Sequence, residues 1–486
     1  MKIKLANKIM AAVLAILCIT ALAACVQTPS GGEDTTAAPV SSSDIAAPET
    51  TSLYEADDLP ATLELNETVV MLYNDDYAFV EFFAEEDATD SVEYAIKNRN
   101  SAVEKRLGVT VDYVGTPGNY ENRAEYEKKV YADFTAGNTY DIYASYSMSV
   151  ANCAYSGYCA DLFQYEVINF EKPWWPKKLT SEASINHKLY MASGDISTNM
   201  LYMMYVMYYS KDLITNNNLD DPYALVDAGT WTIDKMIEMA EVMRSDADAD
   251  SKNYGIATSS NVHYDSFFYG AGLRTLDKDE NDQLIISDLF GSEKAINTAD
   301  KMQDLWNGGL GTREKGGAVF HDGRSLFYVD RASYASSQLG DTDMPFGVIP
   351  MPKYSVDQTD YSTCLGFPYT LYAISAGSQH GEAAAYLLEA LASEAYRTVT
   401  PALFEVSMKV RYVDDPIAAR MFDIIRAGVS FDVGRIYTSS LENITYNVFR
   451  NAVDGKAAFA TTYPRKAPIL KGLLKKFNEQ FDKISK

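Results

Sequence analysis

Residues 67–77 read Glu-Thr-Val-Val-Met-Leu-Tyr-Asn-Asp-Asp-Tyr. The apolar run from Val69 to Tyr73 has none of the alternation of a half-buried strand, so Glu67 to Tyr73 is expected to be a strand covered on both faces, as in parallel sheets. The next hundred residues agree. Asp90 with Glu93 forms an N-terminal capping pattern for an amphipathic helix that runs to Leu107 and closes at Gly108. Val109 to Val114 follows as a second strand, Glu121 to Phe134 as a helix and Tyr140 to Ala144 as a third strand. Strand and helix alternate, which predicts α/β architecture with parallel strands and crossover helices. In open sheets of that kind a ligand sits beyond the carboxyl ends of the strands. Those ends are Asn74, Asp75, Asp76 and Tyr77 after the first strand, and Ser145 and Tyr146 after the third.

Toward the N-terminus, Lys2, Lys4 and Lys8 precede an uncharged apolar run from Ile9 to Ala24. Leu22-Ala23-Ala24-Cys25 then places two small residues before a cysteine. This is the pattern of a lipoprotein signal peptide over residues 1–24 with lipidation at Cys25; an uncleaved membrane anchor is the competing reading. Residues 26–60 are rich in Thr, Ser, Ala, Pro and Gly and carry seven acids with no Lys or Arg. Such a composition buries too little apolar surface to offset chain entropy, so residues 25–60 are expected to be a lipidated, solvated tether. The chain would then lie at the extracytoplasmic face of the cell membrane, held there through its lipid alone.

The whole chain has 486 residues, 47% of them hydrophobic, enough for more than one core. Asp and Glu total 67 against 42 Lys and Arg, a formal charge of −25 that disfavours a nucleic-acid partner. Tyrosine supplies 35 residues, an abundance of planar, amphipathic contact surface.

Toward the C-terminus the character changes. Lys172-Pro173-Trp174-Trp175-Pro176 cannot form regular helix, and a boundary is expected near Phe163 to Glu166. Strands are expected at Leu201 to Tyr209, Leu284 to Ile286, Arg324 to Val329, Phe346 to Ile349 and Tyr369 to Ile374. Helices are expected at Trp231 to Arg244 with Thr230 as cap, at Ser292 to Trp306, and through most of the C-terminal part: Glu382 to Ala395, Pro416 to Arg426, Leu441 to Val453 and Ala467 to Ile484.

Several blocks taken in order resemble a known family. Glu171-Lys172-Pro173-Trp174-Trp175-Pro176, Ile185-Asn186-His187-Lys188-Leu189-Tyr190 and Ser193-Gly194-Asp195-Ile196-Ser197 are followed by Gly323-Arg324-Ser325-Leu326-Phe327-Tyr328, by Phe346 to Tyr354, and by Leu391-Ala392-Ser393-Glu394-Ala395-Tyr396-Arg397. Together they are similar to the family 1 extracellular solute-binding proteins, lipoprotein receptors of sugar-type ABC importers. The resemblance covers roughly residues 66–480. It implies a two-lobed, periplasmic-binding-protein-like (type II) α/β fold with ligand closed between the lobes. It places crossings near 163–168, 362–370 and 410–416. The first lobe would be 61–163 plus 370–412 and the second 168–364 plus 416–486.

Sugars offer hydroxyls for hydrogen bonds and apolar faces for ring stacking, so a sugar cleft needs carboxylates or amides beside aromatic rings. Besides the strand-end residues, that mixture occurs at Asp195 and Ser197, at Tyr264 and Asp265, and at Tyr328, Asp330 and Tyr334. It occurs again at Phe367 and Tyr369, and at Arg435 and Tyr437. Plainer readings compete: Asp75 and Asp76 as solvated turn residues, Tyr328 and Phe367 as core, Asp195 as a cap or hinge acceptor, Arg435 as a partner of acids.

Asp246, Asp248 and Asp250 copy the first ligand positions of a calcium loop, and Asp277, Asp279 and Asn281 with Asp288 repeat the spacing. Neither loop has the turn glycine, so ordinary acidic turns are expected and no metal or other cofactor. Cys153 and Cys159 are six apart, close enough for a small-loop disulfide if the helix ends near Tyr155 to Gly157, with free buried thiols the default. With so many acids a carboxylate pair has no specificity for glycoside hydrolysis, and no nucleophile elbow, zinc-protease or P-loop motif is present. The sequence therefore predicts a monomeric receptor for a carbohydrate that serves an ABC permease. A surface-attached polysaccharide-degrading enzyme, a receptor for peptides or other small solutes, and a sensor subunit are its rivals.

Overall fold

The first strand, β1, spans Glu67–Asn74 and is followed by a helix, Ser91–Leu107, with the ends its sequence dictates. The Asp90 carboxylate accepts from the amides of Val92 and Glu93, and Gly108 closes the helix in the left-handed region, φ 63°. This computed structural model describes residues 54–85, 88–245, 251–339, 342–409 and 416–485, without the side chains of 405–409 and 416. Residues from Tyr54 onward form one compact unit. The expected signal segment, Cys25 and all but the end of the tether lie outside the described residues, as do Asp246, Asp248, Asp250 and most of the expected crossing at 410–416. Among the described residues, no helix is long and apolar enough to cross a membrane.

β2 (Val109–Thr116) and β3 (Ile142–Tyr146) flank β1 in parallel, Glu67 facing Val109 and Met71 facing Ile142. The neighbour of β3 on its other side, numbered β11 in chain order (Thr370–Ile374), is antiparallel, with Thr370 opposite Tyr146. This sheet is therefore mixed, because its last strand is a return of the chain from more than two hundred residues away. Helices Ser91–Leu107, Gly381–Arg397 and Val399–Lys409 pack together over it.

The second sheet has the order β10-β4-β9-β5-β8. Its strands are β4 (Tyr205–Ser210), β5 (Tyr254–Thr258), β8 (Gly311–Thr312), β9 (Ser325–Arg331) and β10 (Phe346–Ile349). β5 is parallel to β8 and β9, whereas β4 runs antiparallel to β9 and to β10. A hairpin, β6 (Leu276–Lys278) and β7 (Leu284–Ile286), stands apart and meets the long C-terminal helix Phe459–Ile484. The chain is thus mixed α/β with a helical C-terminal part.

Four expectations need correction. The run Leu201 to Tyr209 is not one strand: Thr198–Tyr202 is a short helix capped by Ser197, and β4 begins at Tyr205. All of these residues are buried, so hydrophobicity does not separate helix from strand there. The helix expected from Trp231 starts at Ile233, and its cap is Thr232 rather than Thr230. Trp231 instead lies in the core and donates its indole N–H to the Pro350 carbonyl.

The passage to the second sheet comes later than 163–168. Trp174 and Trp175 donate to the two carboxylate oxygens of Glu389 at 3.1 and 2.9 Å, and Ala192 is bridged to Tyr372 of β11. These contacts hold Trp174, Trp175 and Ala192 to elements of the first sheet, while Ser181 to Lys188 meet the hairpin and the C-terminal helix. The crossing is made where Met204 bridges Leu365, with the Tyr205 amide donating to Cys364 and the Gly366 amide to Met203.

Last, residues 54–60 are not free tether. Arg106 and Ser393 donate to the Asp57 carboxylate, Lys172 pairs with Glu55 and Asp58, and Tyr54 sits edge-on to Tyr396 at 5.5 Å. The acids that made this stretch read as solvated find cations on the body, and the stretch becomes a strap.

Candidate functional site

At the carboxyl ends of β1 and β3 the backbone must pass close to itself. A Cβ on Gly118 would stand 2.9 Å from the Ser145 hydroxyl and 3.1 Å from the Asn74 amide, so glycine is needed there. The loop around Gly118 is held by Asp76, whose carboxylate accepts from the amides of Gly118 and Asn119 and from the Asn122 side chain. Burial opposes ionisation of Asp76, but these donors win and hold its carboxyl below the ordinary range. Asp75 is exposed beside Gly115 and Tyr73, and burial with the Asp76 charge raises its carboxyl.

The loop leaves a patch of buried polar atoms without partners. Asn74 accepts the Asp76 amide through Oδ1, while its Nδ2 and the Ser145 hydroxyl have no bond partner. The Tyr77 hydroxyl adjoins both this amide and the Thr370 hydroxyl, and neither hydroxyl completes a hydrogen bond. Buried polar groups are nearly always paired, so this cluster at the strand ends is a candidate place for a ligand's polar groups.

Aromatic rings border this patch. Tyr146 ends β3 with Tyr120 at 6.4 Å, and Arg123 lies 4.7 Å over the Tyr120 ring. From the second sheet's side come Phe367 and Tyr446, edge to face at 5.9 Å. Arg435 lies 3.8 Å from the Phe367 centroid and Arg450 4.0 Å from that of Tyr446. Tyr146 is within electrostatic reach of both Arg123 and Arg435, and Tyr446 of Arg123, so the two sides face each other here. Asp265 anchors the second side: Arg435 pairs with it, and Arg450 grips it at 2.7 and 2.5 Å. Burial works against the charge of Asp265, and the two guanidiniums more than offset it. Arg435 also donates to the Leu365 carbonyl, which ties it to the crossing segment.

The structure therefore gathers Asn74, Asp76, Tyr77, Ser145 and Tyr146 on one side and Asp265, Phe367 and Arg435 on the other. It assigns other work to the remaining candidates. Asp195 is a buried partner of Arg426 at 2.9 and 2.7 Å, and its neighbour Gly194 is pressed against the Trp174 carbonyl. Ser197 caps the Thr198–Tyr202 helix and donates to buried Glu81, which also accepts from Asn199 and Tyr372. Tyr264 is fully buried against Trp306, and Tyr437 against Phe477 and Phe481. Tyr328 donates to Asp330 at 2.6 Å inside the second sheet and stacks on Phe320, while Tyr334 donates to the Gly317 carbonyl. Tyr369 is core beside Phe431.

Asp277 pairs with Arg274 and Ser287, and Asp279 accepts backbone amides within its own turn. These carboxylates serve the hairpin; among the described residues, no cluster of three metal-ligating side chains occurs. Cys153, Cys159 and Cys364 are buried free thiols. The sequence reading missed Tyr120, Arg123, Tyr446 and Arg450. For the last two a signal existed, since a spacing of four on a helix puts ring and guanidinium on one face.

The family model described as bacterial extracellular solute-binding protein matches residues 75–398. No curated protein matches the chain. Among solved structures, the cyclic alpha-maltosyl-1,6-maltose binding protein from Arthrobacter globiformis is similar with a TM-score of 0.58 and 14% identity, over 84% of this chain and 99% of that one. The galacto-N-biose-/lacto-N-biose I-binding protein of the ABC transporter from Bifidobacterium longum gives 0.58 and 14%, over 86% and 99%. The maltose-binding periplasmic protein from Listeria monocytogenes, in complex with maltose, gives 0.56 and 12%, over 85% and 98%. All three share the two-lobed fold.

Proposed function

From the premise that this chain belongs to the bacterial extracellular solute-binding proteins, a family of binders and not of enzymes, we propose that it captures a carbohydrate between its two sheets and hands it to an ABC permease. The observation that carries the proposal is the orphaned Asn74 amide and Ser145 hydroxyl beside Tyr146, facing Phe367 and Tyr446 across the gap. Donors without partners and rings with open edges suit a molecule whose hydroxyls alternate with apolar C–H faces. The sugars in the titles of the similar structures support the same reading. The lobes would be the two sheets with their helices, hinged where Met203 to Tyr205 runs beside Cys364 to Gly366. The Leu22 to Cys25 motif supports tethering by a lipid at the outer face of the membrane, with the protein acting as a monomer.

A thermal-shift screen of sugars, peptides and polyamines against the chain beginning at Val26 tests this. A saccharide at a hundredfold excess over its Kd stabilises the folded state by about 2.7 kcal/mol, a shift of a few degrees for a chain of this size. A shift with peptides and none with sugars would favour the peptide-receptor reading. Release of cleaved sugar would favour the degrading enzyme.

A further inference from the structure

The second side of the site is unevenly charged. Arg435 and Arg450 have only 9% and 10% of their side chains exposed, yet both pair with the one carboxylate of Asp265. The other acids packed nearby make no side-chain bond to either guanidinium. Asp432 accepts from the amide and hydroxyl of Thr275 and from the Arg435 amide, and Asp330 from Tyr328, Ser259 and the Arg331 amide. The Cys364 thiol beside Arg435 is pushed up to about 12 by burial and is neutral at physiological pH. Arg331 has its own partner in Asp330, and burial holds His263 neutral. The two guanidiniums thus share a single directly bonded carboxylate, while the charge of Asp432, three residues before Arg435, sits on neutral donors.

The geometry of Arg450 shows where an anion would be met. Its Nε and Nη2 face Asp265 and its plane lies against the Tyr446 ring, while Nη1 has no acceptor among the described residues. Across the gap stands Arg123, within electrostatic reach of Tyr446 and braced on Tyr120. Among the described residues no carboxylate on that side bonds to Arg123: Glu127, one helical turn away, acts on it electrostatically and accepts from Asn152, Glu121 and Asp75 are exposed to water, and Asp76 is tied to its loop. With a net charge of −25 the protein as a whole repels anions, so this is a local device and not a general anion trap.

We propose that the site takes an anionic saccharide, whose acid group lies between Arg450 and Arg123 and accepts from the donors they leave open while its sugar ring rests against Tyr446 and Tyr120. A guanidinium fork matches paired oxygens on a carboxylate or a sulfate alike, so the shared chemistry is an acidic sugar, a uronate or a sulfated unit. The proposal rests on the saccharide-capture reading above and narrows its ligand.

Calorimetric titration of the chain beginning at Val26 tests it. The probes are di- and trisaccharides of galacturonate, glucuronate and mannuronate, their neutral methyl esters, a sulfated disaccharide, and neutral glucose and xylose oligomers. At least one acidic probe should bind more than about tenfold tighter than its neutral counterpart, and the advantage should shrink in 0.5 M salt, a concentration of about threefold physiological ionic strength. Whether the uronate or the sulfated probe binds identifies the source of the charge. Arg450→Gln leaves Arg435 and Asp265 as a balanced pair and should remove that advantage; Arg123→Gln, at a half-exposed position, should reduce it with no change in melting temperature. Neutral oligomers binding as tightly as the acidic probes, or no acidic probe binding while neutral ones do, would overturn the proposal and leave saccharide capture standing. Binding of peptides with no sugar bound would overturn both.

Discussion

Ser145 shows how a single residue divides stability from function. Its hydroxyl is buried and bonds to nothing, so Ser145→Ala removes an unsatisfied polar group and should leave the unliganded protein as stable or slightly more so. The same change should weaken saccharide binding by about one hydrogen bond, roughly 0.5–1.5 kcal/mol or two- to tenfold in Kd. Titration beside a melting curve checks both halves; a destabilised variant with unchanged affinity would place Ser145 outside the site. Asp195 is the opposite case. Arg426→Ala would leave its carboxylate buried and unpaired and should cost about 3–5 kcal/mol by denaturant unfolding, with no specific loss of ligand contact. From sequence alone the two looked equivalent, each a polar residue near the end of a regular element. The position of the partner decides between them, and Arg426 lies 231 residues away.

At the scale of elements, Asp90 and Gly108 fixed helix ends legibly, because caps are local chemistry. The Leu201 to Tyr209 run was misread because burial on all sides erases periodicity, and β5, buried and short, carried no signal the reading could use. The return of β11 beside β3 is a non-local pairing that no spacing encodes. Two packing joints give predictions. Asp57 straps the N-terminal stretch to Arg106 and Ser393. Burial raises its carboxyl, and the Arg106 and Ser393 hydrogen bonds outweigh that and depress it well below its usual range. The stability it contributes is thus full above the ordinary aspartate range and is lost as the pH falls toward its depressed value. Asp57→Asn should cost about 1–3 kcal/mol at pH 7 and much less near pH 2 by urea denaturation.

Glu389 has the reverse sign. Burial pushes its carboxyl up to about 7 despite the two indole donors. Between the ordinary value of 4.5 and 7 the folded chain holds a proton that the unfolded chain has released, so this group's contribution falls as the pH rises through that window. Urea midpoints of the wild type should decline from pH 5 to pH 7.5 more steeply than those of Glu389→Gln; parallel curves would refute the assignment.

On the scale of the whole molecule, two mixed sheets are joined by short crossing segments, and the candidate site takes strand-end residues from the first sheet and residues of helices and a crossing segment opposite. The class of fold follows from alternation of strands and helices, and the strand-end position of the candidate site from the rule for open sheets. The opposite wall did not, since Tyr446 and Arg450 belong to a C-terminal helix that reaches the site only through tertiary packing. Amide hydrogen exchange during titration with a bound saccharide tests capture between the sheets most directly. Simultaneous protection is predicted at residues 74–77, 118–123 and 145–146 of the first side and 435–450 of the second. Protection confined to one side, or none at saturation, would contradict it.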